Sequence, residues 1–271
     1  MVSDDSWIKQ IFPQCLYFPL RNKLGTKEPR DKYDVLINQL IQKAINLASE
    51  RNGTFSILDY GAGGMPHKEI LKGAGLTYWS SEISIPFSAV NQKYDFIIEN
   101  SGIPQAPAES FNGILSTSVL EHVPHPQLVI NEFHRLLSKD GLLFLSTNFN
   151  YKEHGGPHDY FRFTRYGITQ LLKDGQFEIL DVSISGGRLE QIHHDLLKNR
   201  ERNLGTLQEN LVVAFKRKTW SHFARLSIKA IVAILANWLF VLFILNPLRR
   251  LDSLFISTEH YSGISVIAIK R

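Results

Sequence analysis

The chain has 271 residues, 44% of them hydrophobic and 21% charged, with a formal net charge of +4. That length and apolar content suit one large globular domain or a domain with an elaboration. The single Cys15 excludes an internal disulfide framework and a cysteine-rich zinc site, so a reducing, cytoplasmic setting is the expectation.

The opening MVSDDSWIKQ is acidic and has no apolar run before a small-residue cleavage site, so no secretory signal is expected there. Much of the positive excess gathers after residue 196 in KNRER, KRK and LRRL, a local surface property rather than a nucleic-acid signature. No nucleic-acid partner is expected. Neither an internal repeat nor a low-complexity tract is present.

In chain order, Asp31 to Ala48 places Val35, Leu36, Leu40, Ile41, Ala44 and Leu47 on one stripe, which predicts an amphipathic helix. FSILDY is a short apolar strand, Pro66 to Ala74 a helix, and LTYWSSEI a second strand that ends at an acid. YDFIIEN and FNGILSTS predict two more strands, followed by a helix from Pro126 to Leu137 and the strand GLLFLSTN. A helix opened by Thr164 and closed before Gly175 leads into FEILDVSIS, and GISVIAIK closes the chain as a further strand. Short apolar runs that alternate with helical stretches predict an α/β, doubly wound, parallel sheet with helices on both faces.

Ligands in such a sheet sit beyond the carboxyl ends of the strands. The turn after the first strand lies at that edge, where Gly61, Gly63 and Gly64 permit positive φ and let a ligand approach the backbone. Three acids and an amide mark the same edge: Asp59 within an apolar run, Glu82 at the end of the second strand, and Glu99 with Asn100 at the end of the third. A buried carboxylate such as Asp59 needs a charged or hydrogen-bonding partner. A nicotinamide-dependent dehydrogenase is disfavoured, because proline stands where the third glycine of GxGxxG belongs. A P-loop is excluded by the missing GK[ST] ending.

ILDYGAGG, WSSEIS and FNGILSTSVLEHVPHPQLVINEFHRLLSKDGLLFLSTN together resemble the class I S-adenosylmethionine-dependent methyltransferases, in particular the type 11 methyltransferase domain. The resemblance covers Phe55 to Ser185 and extends to the last strand. It implies a Rossmann-like, seven-stranded, mostly parallel sheet and S-adenosylmethionine as the cofactor. By the same resemblance Asp59, Gly61, Ala62 and Gly63 surround the cofactor's methionine moiety, Glu82 holds the ribose, and Glu99 with Asn100 faces the adenine. Ser118 and Leu120 line the cofactor's other side. Ala62 and Glu82 replace residues more common in the family, and neither change prevents binding.

Methyl transfer from a sulfonium mainly needs an aligned acceptor and excluded water, with a base for an alcohol acceptor. The segment from Asn150 to Gly167 follows the fifth strand and gathers His154, His158, Asp159, Tyr160 and Arg162, with Gly155, Gly156 and Pro157 keeping it irregular. His154, Tyr160 and Arg162 are assigned to the acceptor. His158, Asp159 and His122 are the catalytic candidates. Two alternatives stay open: Asp159 and Arg162 as a loop-bracing ion pair, and His122 as a structural residue. His154 and His158 stand four apart, but the GGP between them removes the helix that a metal pair would need, so no metal is expected. His193 and His194 read as an exposed polar face.

The division that follows is an N-terminal segment with its leading helix (1–54), the cofactor-binding core (55–185), a hydrophobic insertion (186–262) and a closing strand (263–271). Within the insertion, Ala230 to Leu245 is apolar on every helical face except at Asn237. Its span of about 24 Å falls short of a hydrocarbon core of about 30 Å. Trp220, Trp238 and flanking basic residues suit either a peripheral contact through 220–250 at the inner face of a membrane, or burial as a lid or an oligomer interface. The expected function is methyl transfer to a hydroxyl of a glycan or small metabolite. The alternatives are C-methylation of a lipid-soluble ring such as a quinone precursor, and a non-catalytic cofactor-fold module that anchors a complex to a membrane.

Overall fold

The computed structural model describes residues 32–83, 93–98, 105–187 and 260–271, with isolated positions between 192 and 247. Helix α1 (Lys32–Ser49) leads into β1 (Ser56–Tyr60), α2 (Lys68–Gly73), β2 (Thr77–Ile83), β3 (Phe96–Ile98) and β4 (Phe111–Thr117). After a 3-10 turn at Leu120–His122 come α3 (Pro126–Leu136), β5 (Leu137–Asn148), α4 (Arg165–Asp174), β6 (Phe177–Ser185) and β7 (Gly263–Lys270).

The seven strands form one sheet in the order β3-β2-β1-β4-β5-β7-β6. The β1–β2, β2–β3, β1–β4 and β4–β5 pairs are parallel. β7 enters antiparallel between β5 and β6, so the sheet is mostly parallel, as expected. The strand order reverses between β1 and β4, which places the ligand crevice at their carboxyl ends.

Side-chain alternation assigns the two faces. Leu58 and Tyr60 of β1 pack with Val129, Ile130 and Phe133 of α3 and Ile168 and Leu172 of α4. Ile57, one residue out of phase, packs on the other face with Leu40, Ile41 and Ala44 of α1 and Leu71 of α2. The Tyr60 and Phe133 rings meet edge to face at 4.8 Å. α4 begins where Thr164 caps it, its side chain accepting from the Gly167 amide at 3.0 Å.

Three expectations shift in detail. Val35 is exposed and Leu47 only half-buried, whereas Tyr33 and Ala48 join the buried stripe of α1; Val35 sits too far around the helix from Leu36 and Leu40 to reach the sheet. β5 begins at Leu137, four residues before Gly141, because Leu137 pairs with Phe111 ahead of an irregularity in the ladder. α2 starts at Lys68 rather than Pro66, since Met65 has a positive φ of 53° and holds the preceding turn open.

Gly263 lets α1 close on the sheet, because a Cβ there would collide with the Tyr33 ring. In the insertion, Ile228, Val232, Leu235, Leu239, Leu242, Phe243 and Ile244 are exposed, and Val241–Leu245 forms a π-helical turn. Among the described residues no helix is long and apolar enough to cross a membrane. His193, His194, Trp220 and Trp238 lie outside the described residues.

Candidate active site

The bend after β1 is pinned to the end of β2. The Gly61 and Ala62 amides donate to the Ser81 carbonyl at 2.9 and 3.0 Å, and the Gly63 amide donates to Glu82 Oε2 at 2.7 Å. Glu82 Oε1 accepts from the Ile83 amide at 2.9 Å, while the Tyr94 hydroxyl donates to the Gly63 carbonyl at 2.8 Å. Gly61 and Gly63 have φ of 71° and 50°, the left-handed region in which a Cβ is strained. A Cβ on Gly61 would come within 2.5 Å of Val119 Cγ2, so glycine is required there for packing as well. The Cβ positions of Gly63 and Gly64 meet nothing within 4 Å. Bare backbone therefore faces open space at the crevice.

Asp59 is buried beneath the bend and accepts a hydrogen bond from the Tyr78 hydroxyl at 2.7 Å. Burial pushes its carboxyl up to about 7, against the opposing pull of the Tyr78 bond, and the Glu82 charge pushes it further in the same direction. A group that titrates near neutrality under a ligand crevice is poised to respond to a charged ligand.

Ser118, just past β4, has a positive φ of 55°, uncommon for a residue with a side chain. Its amide donates to the Ser146 carbonyl at 3.0 Å, and its hydroxyl meets the Tyr33 hydroxyl at 2.9 Å. Tyr33 also donates to Ser146 Oγ at 3.2 Å, so α1 is latched over the ends of β4 and β5. Leu120 is fully buried in the α3 and α4 core, so its side chain supports the crevice from below and presents no surface to a ligand. Glu99 and Asn100 lie outside the described residues.

Beside this crevice stands a second group of polar residues. Glu121 has no exposed surface, and its carboxylate accepts from Thr147 Oγ1 at 2.9 Å and from Asn148 Nδ2 at 2.7 Å. Burial raises its pKa above the usual carboxylate range. The Glu121 carbonyl also accepts from the Tyr160 and Phe161 amides at 2.8 and 3.2 Å, which ties the loop after β5 to the turn after β4. His122 Nδ1 lies 2.6 Å from the His158 carbonyl, and the His122 and His154 rings meet edge to face at 4.7 Å.

Within the loop, Arg162 grips both Asp159 oxygens at 2.6 and 2.7 Å. Asp159 Oδ2 also accepts from the His154 amide at 2.7 Å. Arg162 further donates to the Tyr151 and Lys152 carbonyls. The guanidinium holds the Asp159 carboxyl well below the usual carboxylate range. This is the arrangement of the loop brace, one of the two readings that the sequence leaves open for this pair. His158 and Tyr160 are exposed on the loop, with Nδ1 and the phenol oxygen 3.1 Å apart.

A family model described as a methyltransferase domain matches residues 12–182, more than half of the chain. The chain belongs to the methyltransferase domain family. This methyltransferase is similar to the ubiquinone biosynthesis O-methyltransferase of Coxiella burnetii, at 26% identity over 205 residues that cover 66% of this chain and 82% of that protein. A protein of the same name from Glaesserella parasuis is 32% identical over 127 residues, 41% of this chain and 53% of that one. In fold it is similar to a SAM-dependent methyltransferase from Archaeoglobus fulgidus, with a TM-score of 0.50, 10% identity and coverage of 92% and 99% of the two chains.

The fold is that of a SAM-dependent methyltransferase, so the group against which the crevice is tested is S-adenosylmethionine. The residues present suit that group. It carries a ribose diol and a cationic amino-acid end, and the crevice offers two carboxylates, Asp59 and Glu82, beside backbone with open space where side chains would stand. Sequence reasoning passed over Tyr33, Tyr78, Tyr94, Thr147 and Asn148 in this methyltransferase, because each acts on a partner distant in the chain. Glu121 carried a signal, an acid at the end of an apolar run next to histidine.

Proposed function

We propose that this methyltransferase moves the methyl group of S-adenosylmethionine onto a hydroxyl oxygen of a small metabolite or glycan unit. One observation carries the reading: the glycine bend clasped by Glu82 and the Glu121–His122 turn roofed by the 150–163 loop converge at the ends of adjacent strands β1, β4 and β5. The names of the Coxiella and Glaesserella relatives favour oxygen over carbon as the acceptor atom.

In this reading Asp59, Gly61, Ala62 and Gly63 hold the methionine end, Glu82 the ribose, and Ser118 the opposite side. The cofactor, when bound, supplies a methyl group activated by a positively charged sulfur. The chain then has to align an acceptor oxygen, keep water out and dispose of one proton. The loop braced by Arg162 and Asp159 excludes water and, with His154, His158 and Tyr160, meets the acceptor.

His122 takes the hydroxyl proton. Donation from Nδ1 to the His158 carbonyl leaves the lone pair on Nε2. Asp159 is too weak a base for that role, because Arg162 stabilises its charged form.

The test is a reaction of the full chain with methyl-labelled S-adenosylmethionine and a bacterial small-molecule extract. Label is expected in an oxygen-linked methyl product. His122→Asn, which can still donate to the His158 carbonyl, is expected to slow transfer about 10²-fold or more with cofactor affinity nearly unchanged. Label on carbon would favour the ring C-methylation reading, and cofactor binding without any transfer would favour a non-catalytic module.

A further inference from the structure

We infer that Glu121, His122 and His154 form a binding site for one divalent transition-metal cation, which clasps the acceptor loop to the turn after β4. One ligand atom from each of the three lies within 4.8 Å of the other two. Small side-chain adjustments would bring such atoms to bonds of about 2.0 to 2.2 Å around a shared ion. Two imidazoles with one carboxylate suit Zn2+, Fe2+, Co2+ or Mn2+ better than the all-oxygen preference of Mg2+ or Ca2+, and the set leaves coordination positions open.

Each of the three groups already has the outer partner that a metal ligand needs. His122 Nδ1 is 2.6 Å from the His158 carbonyl, which puts that ring's lone pair on Nε2, and His154 Nδ1 is 3.2 Å from the Lys152 carbonyl. Asp159 Oδ2 also stands 3.5 Å from His154 Nδ1, a carboxylate behind a ligating histidine. The Glu121 carboxylate is fixed by Thr147 and Asn148.

Local charge points the same way. Arg162 is cancelled by its paired Asp159, so the charge left at the cluster is that of the buried Glu121. A buried carboxylate is stabilised by a cation or by a proton. The site differs from the His154 and His158 pair that the spacing suggests, since His158 contributes a carbonyl rather than its ring.

Because His154 belongs to the loop and Glu121 with His122 to the turn, the cation would order the loop. On the function proposed above, on which this step alone rests, a bound cation would occupy the His122 Nε2 that otherwise takes the acceptor proton, so methyl transfer belongs to the metal-free chain.

The experiment uses the full chain, stripped with chelator and then titrated with Co2+. Expected are a visible Co2+ absorption band that saturates near one ion per chain, displacement of that band by Zn2+, and metal content near one after gel filtration. His154→Ala and the near-isosteric Glu121→Gln are each expected to weaken binding at least about tenfold. Absence of stoichiometric metal, or equal binding by folded His154→Ala protein, would overturn the inference. S-adenosylmethionine calorimetry on the same stripped sample reads the cofactor site separately, so a failure of one leaves the other legible.

Discussion

Glu82→Ala is expected to abolish tight S-adenosylmethionine binding, with affinity lower by about 100-fold or more. The carboxylate does two things at once. It accepts the Gly63 amide at 2.7 Å and the Ile83 amide at 2.9 Å, which fixes the bend, and in the proposed function its remaining lone pairs meet the ribose hydroxyls. A hydrogen bond to a charged group contributes about 1.5 to 3 kcal/mol, so losing the ribose contacts together with the order of the bend removes at least the roughly 2.7 kcal/mol that 100-fold represents. Glu82→Gln, which can still accept from one amide, should fall between the two. Isothermal titration with S-adenosylmethionine and S-adenosylhomocysteine reads the effect, and circular dichroism confirms that the variant is folded. Unchanged affinity in both variants would remove Glu82 from the site.

Asp59→Asn is expected to stabilise the protein at pH 8 while weakening the cofactor. The folded carboxyl titrates at about 7 against an ordinary 3.8. That gap of about three units corresponds to something on the order of 4 kcal/mol at 1.36 kcal/mol per unit. The sign follows from proton binding. Between about pH 4 and 7 the native state keeps a proton that the unfolded state has lost, so stability falls as pH rises through this window and levels off above it.

Asparagine is neutral throughout and can still accept from the Tyr78 hydroxyl, so it escapes that loss. Urea unfolding from pH 4 to 8 should show the two proteins alike at the acid end and the variant more stable at the alkaline end. Cofactor binding should move oppositely. The amino-acid end of S-adenosylmethionine is cationic and favours the ionised carboxylate, so wild-type affinity should rise as pH climbs through about 7, whereas the variant binds weakly and without that rise. A variant that lost stability at pH 8 would contradict this account of Asp59.

The parts of the fold legible in the sequence are those set by local pattern. The short apolar run of FSILDY and the continuous apolar runs of β4, β5 and β7 mark buried strands, because a sheet covered on both faces tolerates no polar stripe. The glycine bend was legible for the same reason: Gly61 and Gly63 have φ values that other residues adopt at a cost. The start of β5 was not, because Asp140 and Gly141 read as a turn while Leu137 is held by Phe111 from a separate strand.

The site divides along the same line. Asp59 and Glu82 are strand-end acids at recognisable distances from the bend, but their phenol and amide partners are Tyr78 and Gly63, and Tyr94 holds the Gly63 carbonyl, contacts that only the folded sheet makes. The cluster of Glu121, His122 and His154 spans the loop after β5, so no fixed spacing announces it. Spacing arguments see helical neighbours, and this group is assembled by two turns at the ends of paired strands.

The most direct test of the central claim is a crystal structure of the chain grown with S-adenosylhomocysteine. The account predicts the amino-acid end against the backbone of Gly61 to Gly63 and the ribose hydroxyls within hydrogen-bond distance of Glu82. An empty crevice at saturating ligand, or a nicotinamide nucleotide bound there in preference, would contradict it.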